Sequence, residues 1–235
     1  MRRFFLPSLL DNGKIFPDTE LLHRVNDVLR LKDGDTVEFI DGEGLIVEAK
    51  AIKNGKAFEE IKRTNIDRPK QKICIAAAMI RRERFDILVE KAVELGADEI
   101  IPVVTERSRP FSKDSYKKLC EKWQKTADQA LSQCKRVFRC MVLDVCDLKT
   151  VCEIKGHGTK IAFHPEGRSL TEIKFSSHGN ALFLIGPEGG FSKDEVDTIK
   201  KNGIELYALT DNILRTETAV FYILSICNFN SLKFS

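Results

Sequence analysis

The sequence predicts an α/β protein with a mostly parallel sheet, preceded by a small β-rich domain. From Gln71 onward, short apolar runs alternate with stretches of helical periodicity, and repeated βα units joined by crossovers give a parallel sheet with right-handed connections. Before about residue 70 the pattern differs. Asp41 to Gly44 separates VEFI from LIVEAKAI, and Asn54-Gly55 precedes KAFEEIK, so this part reads as hairpins of a meander or small barrel. The linker is placed at Ile66 to Lys70, around Pro69, dividing the chain into residues 1–70 and 71–235.

In the first part, MRRFFLPSLLDNGK imitates a signal peptide, but its apolar stretch is broken by Pro7 and ends at Asp11; it reads as a first strand. Asp18 to Leu31 carries Leu21, Leu22, Val25, Val28 and Leu29 at the spacing of an amphipathic helix, with His23, Arg24, Asn26 and Arg30 on its other face. In the second part we expect a strand at Lys72 to Met79, a helix at Phe85 to Leu95 ended by Gly96, and a strand at Glu99 to Val104. A long helix from about Asp114 to Lys135, a strand near Phe138 to Val142, a short helix near Leu148 to Ile154 and a strand at Thr159 to His164 follow.

The next stretch has the clearest local grammar. Ala181 to Ile185 reads as a buried strand, Gly186-Pro187-Glu188-Gly189-Gly190 as a loop, and Ser192 as the N-cap of a helix. Glu195 completes a capping box, Phe191 and Val196 stand at the spacing of a hydrophobic staple, and Gly203 can end the helix. Unpaired N–H groups are thereby set at the C-terminal edge of a sheet, where open α/β folds bind ligands. A phosphate is disfavoured there, because no Lys-Ser/Thr follows the glycines and Glu188 repels it. A strand at Ile204 to Leu209 and a helix from about Thr216 to Phe229 close the chain. That last helix, ETAVFYILSICNF, is apolar almost all round, so the domain or a second subunit must cover it, and a homodimer is expected.

Composition bounds the function classes. At 235 residues and 43% hydrophobic the chain builds an ample core, while its longest apolar run, Ala219 to Cys227, is far too short for a membrane span. Seven cysteines form an odd set without a CxxC pair, so no disulfide framework or metal site is signalled and a reduced cytoplasm fits. The four histidines are scattered without ligand spacing. Net charge is only +3, but Arg107 to Arg139 holds ten Lys and Arg against three Asp and Glu, a basic stretch suited either to solvent or to nucleic acid.

Two strand-loop-helix corners lie close in sequence, IGPEGGFS and LTDNILRTETA at Leu209 to Ala219. If their strands are neighbours, both loops enclose one ligand. GPEGGFS followed by ILRTETA resembles the RsmE family of ribosomal RNA methyltransferases, of the SPOUT class. The resemblance extends to RRFF, to HRVNDVLRLKDGD, to KAVELGADEIIPV, and to EKWQK with QCKR, covering most of the chain. It implies an α/β fold with a C-terminal trefoil knot, preceded by a PUA-like β-barrel. It also implies methyl transfer from S-adenosylmethionine to N3 of one uridine in 16S RNA of the assembled small ribosomal subunit. By position the cofactor set is Leu184, Gly186, Glu188, Gly189 and Gly190 with Leu209, Ile213, Leu214 and Ala219, and His164 and Pro165 are weaker candidates. Thr210-Asp211-Asn212 departs from the pattern, standing where members usually carry glycine and basic residues; Gln129 and Ser132 stand where glutamate is frequent.

The chemistry needs a nucleophile, a methyl and a leaving sulfur held in line. Uracil N3 is protonated, so a base must remove the proton, or cationic donors must stabilise the anion. Arg215, beside a helix N-terminus, is the choice for orienting the base and stabilising that anion, with Glu217 either the base or a first-turn carboxylate. Phosphate contacts are assigned to Arg2, Arg3, Arg24, Arg30, Arg81, Arg82, Arg107, Arg109, Lys135 and Arg136. Two other classes compete: a non-catalytic RNA-binding assembly factor of the same fold, and a nucleotide-binding enzyme, which would need the P-loop or GxGxxG this chain lacks.

Overall fold

The computed structural model describes residues 2–7, 14–17, 19–23, 30–108, 112–173 and 179–233. The chain forms two compact units: Met1–Arg68 with Leu131–Arg139, and Pro69–Ala130 with Cys140–Ser235.

The first unit is a five-stranded sheet in the order β1-β3-β4-β5-β2. Its strands are β1 (Arg2–Phe5), β2 (Lys14–Ile15), β3 (Thr36–Ile40), β4 (Leu45–Ile52) and β5 (Ala57–Asn65), with a short helix α1 (Thr19–His23) after β2. Half of the expected helix at 18–31 lies outside the described residues. Strands β3, β4 and β5 form two antiparallel hairpins, while β1 pairs parallel with β3. The second hairpin turns through Lys53 to Lys56, with positive φ at Lys53, Asn54 and Gly55. Phe4, Phe39 and Phe58 form its buried aromatic centre. Leu131–Arg139 joins this sheet through specific bonds. Ser132 Oγ accepts from Phe5 N at 3.2 Å, Lys135 O accepts from the Arg3 guanidinium, and Arg139 N donates to Gly42 O at 2.9 Å.

The second unit contains β6 (Ile73–Ala78), α2 (Arg82–Glu94), β7 (Glu99–Val104), most of α3 (Tyr116–Gln133), β8 (Met141–Val142) and β9 (Cys146–Asp147). Then come α4 (Leu148–Glu153), β10 (His157–Ser169), β11 (Asn180–Ile185), α5 (Lys193–Lys201), β12 (Glu205–Ala208) and α6 (Thr216–Lys233). The path β12-β10-β11-β6-β7-β8, with β9 also on β7, is parallel at every pairing. Every strand therefore points the same way, and the loops that follow the strands gather at one edge.

Strand β10 runs further than the pattern at Thr159 to His164 suggested. Pro165-Glu166-Gly167 looks like a loop in sequence, yet Arg168 and Ser169 return to pair with Tyr207 and Ala208 across a bulge. Gly167 makes this possible: a Cβ there would lie 2.5 Å from the Tyr207 backbone, so only glycine lets the chains approach.

Alternation sorts the sheet's two faces. Leu182 and Leu184 point into a core shared with Leu148, Val151 and Ile199 of α4 and α5. On the other face α6 packs on α2, β6 and β11. Helix α6 is buried along Val220, Ile223, Leu224 and Cys227, but leaves Tyr222 and Phe229 exposed. Among the described residues, no helix is long and apolar enough to cross a membrane.

Candidate active site

The first corner folds as its residues dictate. Ser192 Oγ accepts from Glu195 N at 3.3 Å, and the Glu195 carboxylate accepts from Ser192 N at 2.9 Å, completing the capping box. The same carboxylate accepts from Glu106 N at 2.8 Å, tying the loop after β7 to the start of α5. Gly190 has φ +68°, a left-handed conformation that glycine adopts freely.

The second corner, after β12, is braced internally. The Thr210 hydroxyl accepts from Asn212 N at 3.1 Å and donates to Asn212 O at 2.9 Å. A side-chain turn of this kind holds the loop in place.

The two corner strands are not neighbours, the condition on which the sequence reading rested; β10 lies between β11 and β12. Because all three are parallel, both corners still stand at one edge, and the end of β10 forms the floor between them. The space they enclose is a cavity of about 510 Å³, within the range of small-molecule sites. Gly186, Glu188, Gly189 and Gly190 line it from one side, Leu209, Ile213, Leu214 and Ala219 from the other, and His164 and Pro165 from the floor. Leu184 does not reach it. Its side chain is fully buried on the α4 and α5 face, and the next residue, Ile185, faces the cavity instead. The two corners are joined directly: Thr216, buried at the start of α6, donates its hydroxyl to Gly186 O at 2.9 Å.

Arg107 was assigned to phosphate, yet it lines the cavity and donates to Gly189 O at 2.8 Å. Arg215 is exposed and lies outside the cavity, in an adjoining hollow of about 280 Å³ with Arg84, Glu188, Ile213 and Leu214. Arg84, missed in the sequence, stands between two carboxylates. It pairs with Glu188, and its Nε lies 3.9 Å from Glu217 Oε1. The Glu217 side chain is 13% exposed and its Oε2 is buried without a hydrogen-bond partner. The signal that could have found Arg84 was its place in the first turn of α2, which follows β6 and so opens at the same edge.

The remaining cations scatter. Arg3 pairs with Glu38 at 3.0 Å and its side chain is 9% exposed, so it braces the N-terminal sheet rather than facing solvent. Arg2, Arg30, Arg81, Arg82 and Lys135 are exposed and Arg136 is half-buried. Arg24 and Arg109 lie outside the described residues.

No thiol lines the cavity. Burial pushes Cys152 and Cys146 up to about 11 and Cys227 up to about 12, so these groups are protonated and poor nucleophiles at neutral pH. The site offers backbone carbonyls and amides, apolar walls and, at its mouth, arginines. That set suits binding and orienting a small molecule with both a heterocycle and charged groups.

Residues 67–228 match the model of an RNA methyltransferase domain family. A ribosomal RNA small subunit methyltransferase E of Buchnera aphidicola is 30% identical over 92% of this chain and 88% of its own. The same-named protein of Mesomycoplasma hyopneumoniae is 28% identical over 97% and 99%. Among solved structures, a ribosomal RNA small subunit methyltransferase E from Neisseria gonorrhoeae bound to S-adenosyl methionine superposes with a TM-score of 0.87 at 25% identity, covering 96% of each chain. With its two corners closing on one cavity and nearly its whole length aligned to these relatives, the chain belongs to the RNA methyltransferase family and groups with the small subunit methyltransferases E.

Proposed function

We propose that this protein methylates N3 of one uridine in the 16S RNA of the small ribosomal subunit, using S-adenosylmethionine bound between the two corners. The observation that carries the reading is the cavity itself, closed by Gly186 to Gly190 on one side and Leu209 to Ala219 on the other. Solved relatives aligned over nearly their whole length carry that cofactor in their structures. The residues present fit it. Apolar walls from Ile185, Leu209 and Leu214 suit an adenine ring, the bare loop backbone suits polar groups, and the volume suffices. When bound, the cofactor supplies an electrophilic methyl on sulfur.

The rest of the work falls to this chain. Gly186 and Gly189 let backbone groups reach the ligand, while Thr216 fixes the spacing of the two corners. Arg215, exposed at the mouth, orients the uracil and stabilises the negative charge that spreads onto its carbonyl oxygens as N3 loses its proton. Arg84 holds Glu188 and Glu217 together, and Glu217 is the group for which proton removal is proposed.

The N-terminal sheet is read as a PUA-like barrel that docks RNA, and the C-terminal unit as a SPOUT domain with a trefoil knot. The knot is supported by β12 returning to pair with β10 after β11 has been laid on that strand's other side. The exposed Tyr222 and Phe229 of α6 support a homodimer. The assembled subunit as substrate implies a cytoplasmic enzyme. The test combines calorimetry with S-adenosylmethionine and labelled methyl transfer to small subunits from cells lacking this protein. One methyluridine restored at N3 is expected. Tight cofactor binding with no transfer to any form of the subunit would instead favour the non-catalytic assembly factor.

A further inference from the structure

At the sheet edge opposite the cavity, three side chains that share no sequence motif converge. Cys74 is the second residue of β6, and Glu99 and His157 are the first residues of β7 and β10. One thiol sulfur, one carboxylate oxygen and one imidazole nitrogen all lie within 4.8 Å of one another. The register explains the meeting. Cys74 and Glu99 are direct partners across β6 and β7. His157 stands opposite Asn180 on β11, the strand between β10 and β6. Cys74 is 1% exposed, whereas the Glu99 side chain is 28% exposed, with Lys72 Nζ 3.8 Å from its carboxylate. His157 Nδ1 is buried and has no hydrogen-bond partner. A buried polar atom left alone in this way is costly, and in native proteins such atoms generally have a partner or a bound ion.

We propose that Cys74, Glu99 and His157 form a binding site for a zinc-type divalent cation, separate from the methyl-transfer cavity. Thiolate, imidazole and carboxylate together suit zinc, not magnesium or calcium, which take oxygen donors. Three protein ligands leave a fourth tetrahedral position for water, and the partly exposed Glu99 provides the way in. On binding, the cation takes the place of the Cys74 thiol proton, which passes to solvent. The bound ion joins β6, β7 and β10 at their N-terminal ends. The six-residue β6 is roughly 20 Å long, so the ion lies about a strand's length from the ligand edge and acts as a staple, not in the chemistry.

The test is a cobalt titration of the full-length, metal-free protein, since cobalt replaces zinc and reports a thiolate ligand by charge-transfer absorption. One equivalent with that absorption is expected for the wild type and for Cys134→Ser. Cys74→Ser should abolish the absorption, and His157→Gln should weaken binding by at least about tenfold. Should Cys74→Ser fail to fold, His157→Gln decides in either direction. A wild-type protein with no charge-transfer band, or one whose band and affinity survive in His157→Gln, overturns the site.

Discussion

Thr216 Oγ1 donates to Gly186 O at 2.9 Å, so the first residue of the last helix is fastened to the first residue of the glycine loop. The two residues are 30 positions apart in sequence, and the bond runs directly from the Thr216 side chain to the backbone of the glycine loop. Thr216 is 2% exposed. Its replacement by Val keeps the shape and leaves the Gly186 carbonyl without that donor. We expect a loss of about 1–3 kcal/mol in denaturant unfolding. We also expect S-adenosylmethionine binding to weaken about tenfold, or about 1.4 kcal/mol. Unchanged cofactor affinity beside lowered stability would confine Thr216 to folding.

The glycine loop permits a sharper comparison. Gly190 has φ +68° and open space where a Cβ would go, whereas a Cβ on Gly186 would meet the Phe191 ring at 3.2 Å. Gly190→Ala should therefore cost about 1–2 kcal/mol through backbone conformation alone, and Gly190→Asn distinctly less, because asparagine tolerates the left-handed region. Gly186→Ala acts by crowding instead, and combining it with Phe191→Leu should recover part of its loss. Equal unfolding midpoints for the Ala and Asn variants at Gly190 would disprove the conformational account.

Arg84 ties α2 to both corners through Glu188 and Glu217. Exposed ion pairs contribute little, but Glu217 is 13% exposed, so removing its cation leaves a mostly buried carboxylate uncompensated. Arg84→Met should destabilise the protein by about 1–3 kcal/mol. In an Arg84→Met, Glu217→Gln double variant, at least half of that loss should return, measured as a coupling energy in a double-mutant cycle. A coupling of zero would mean that the two side chains are merely adjacent.

How much of this was legible in the sequence follows from where the information resides. Corner one was readable down to its capping box because Ser192, Glu195 and Phe191 act within one turn of helix. The end of β10 was not, since Pro165-Glu166-Gly167 has loop composition and is kept paired only by the close approach of Gly167 to Tyr207. Leu184 and Ile185 could not be told apart before the sheet's faces were known: an apolar run buried on both sides has no alternation to read. Arg3 looked like a phosphate ligand because its partners, Glu38 and Lys135 O, lie far along the chain. The Cys74, Glu99 and His157 group was invisible for the same reason, as strand order alone brings their strands together.

Arg215 tests the chemistry apart from binding. It is exposed, outside the main cavity, and shares its hollow with Arg84 and Glu188. Arg215→Ala should leave S-adenosylmethionine affinity within about twofold, since an exposed side chain outside the cavity contributes little to the ligand's burial. Its turnover on small subunits should fall by about 10²–10³, the loss typical of one donor to a developing anion. Arg215→Lys should recover only part of the rate, because a point charge does not reproduce the planar fork of donors. The discriminating measurement is single-turnover methyl transfer with saturating cofactor and subunits. A wild-type rate in Arg215→Ala removes this residue from anion stabilisation, and a rate restored by excess subunits reassigns it to RNA affinity.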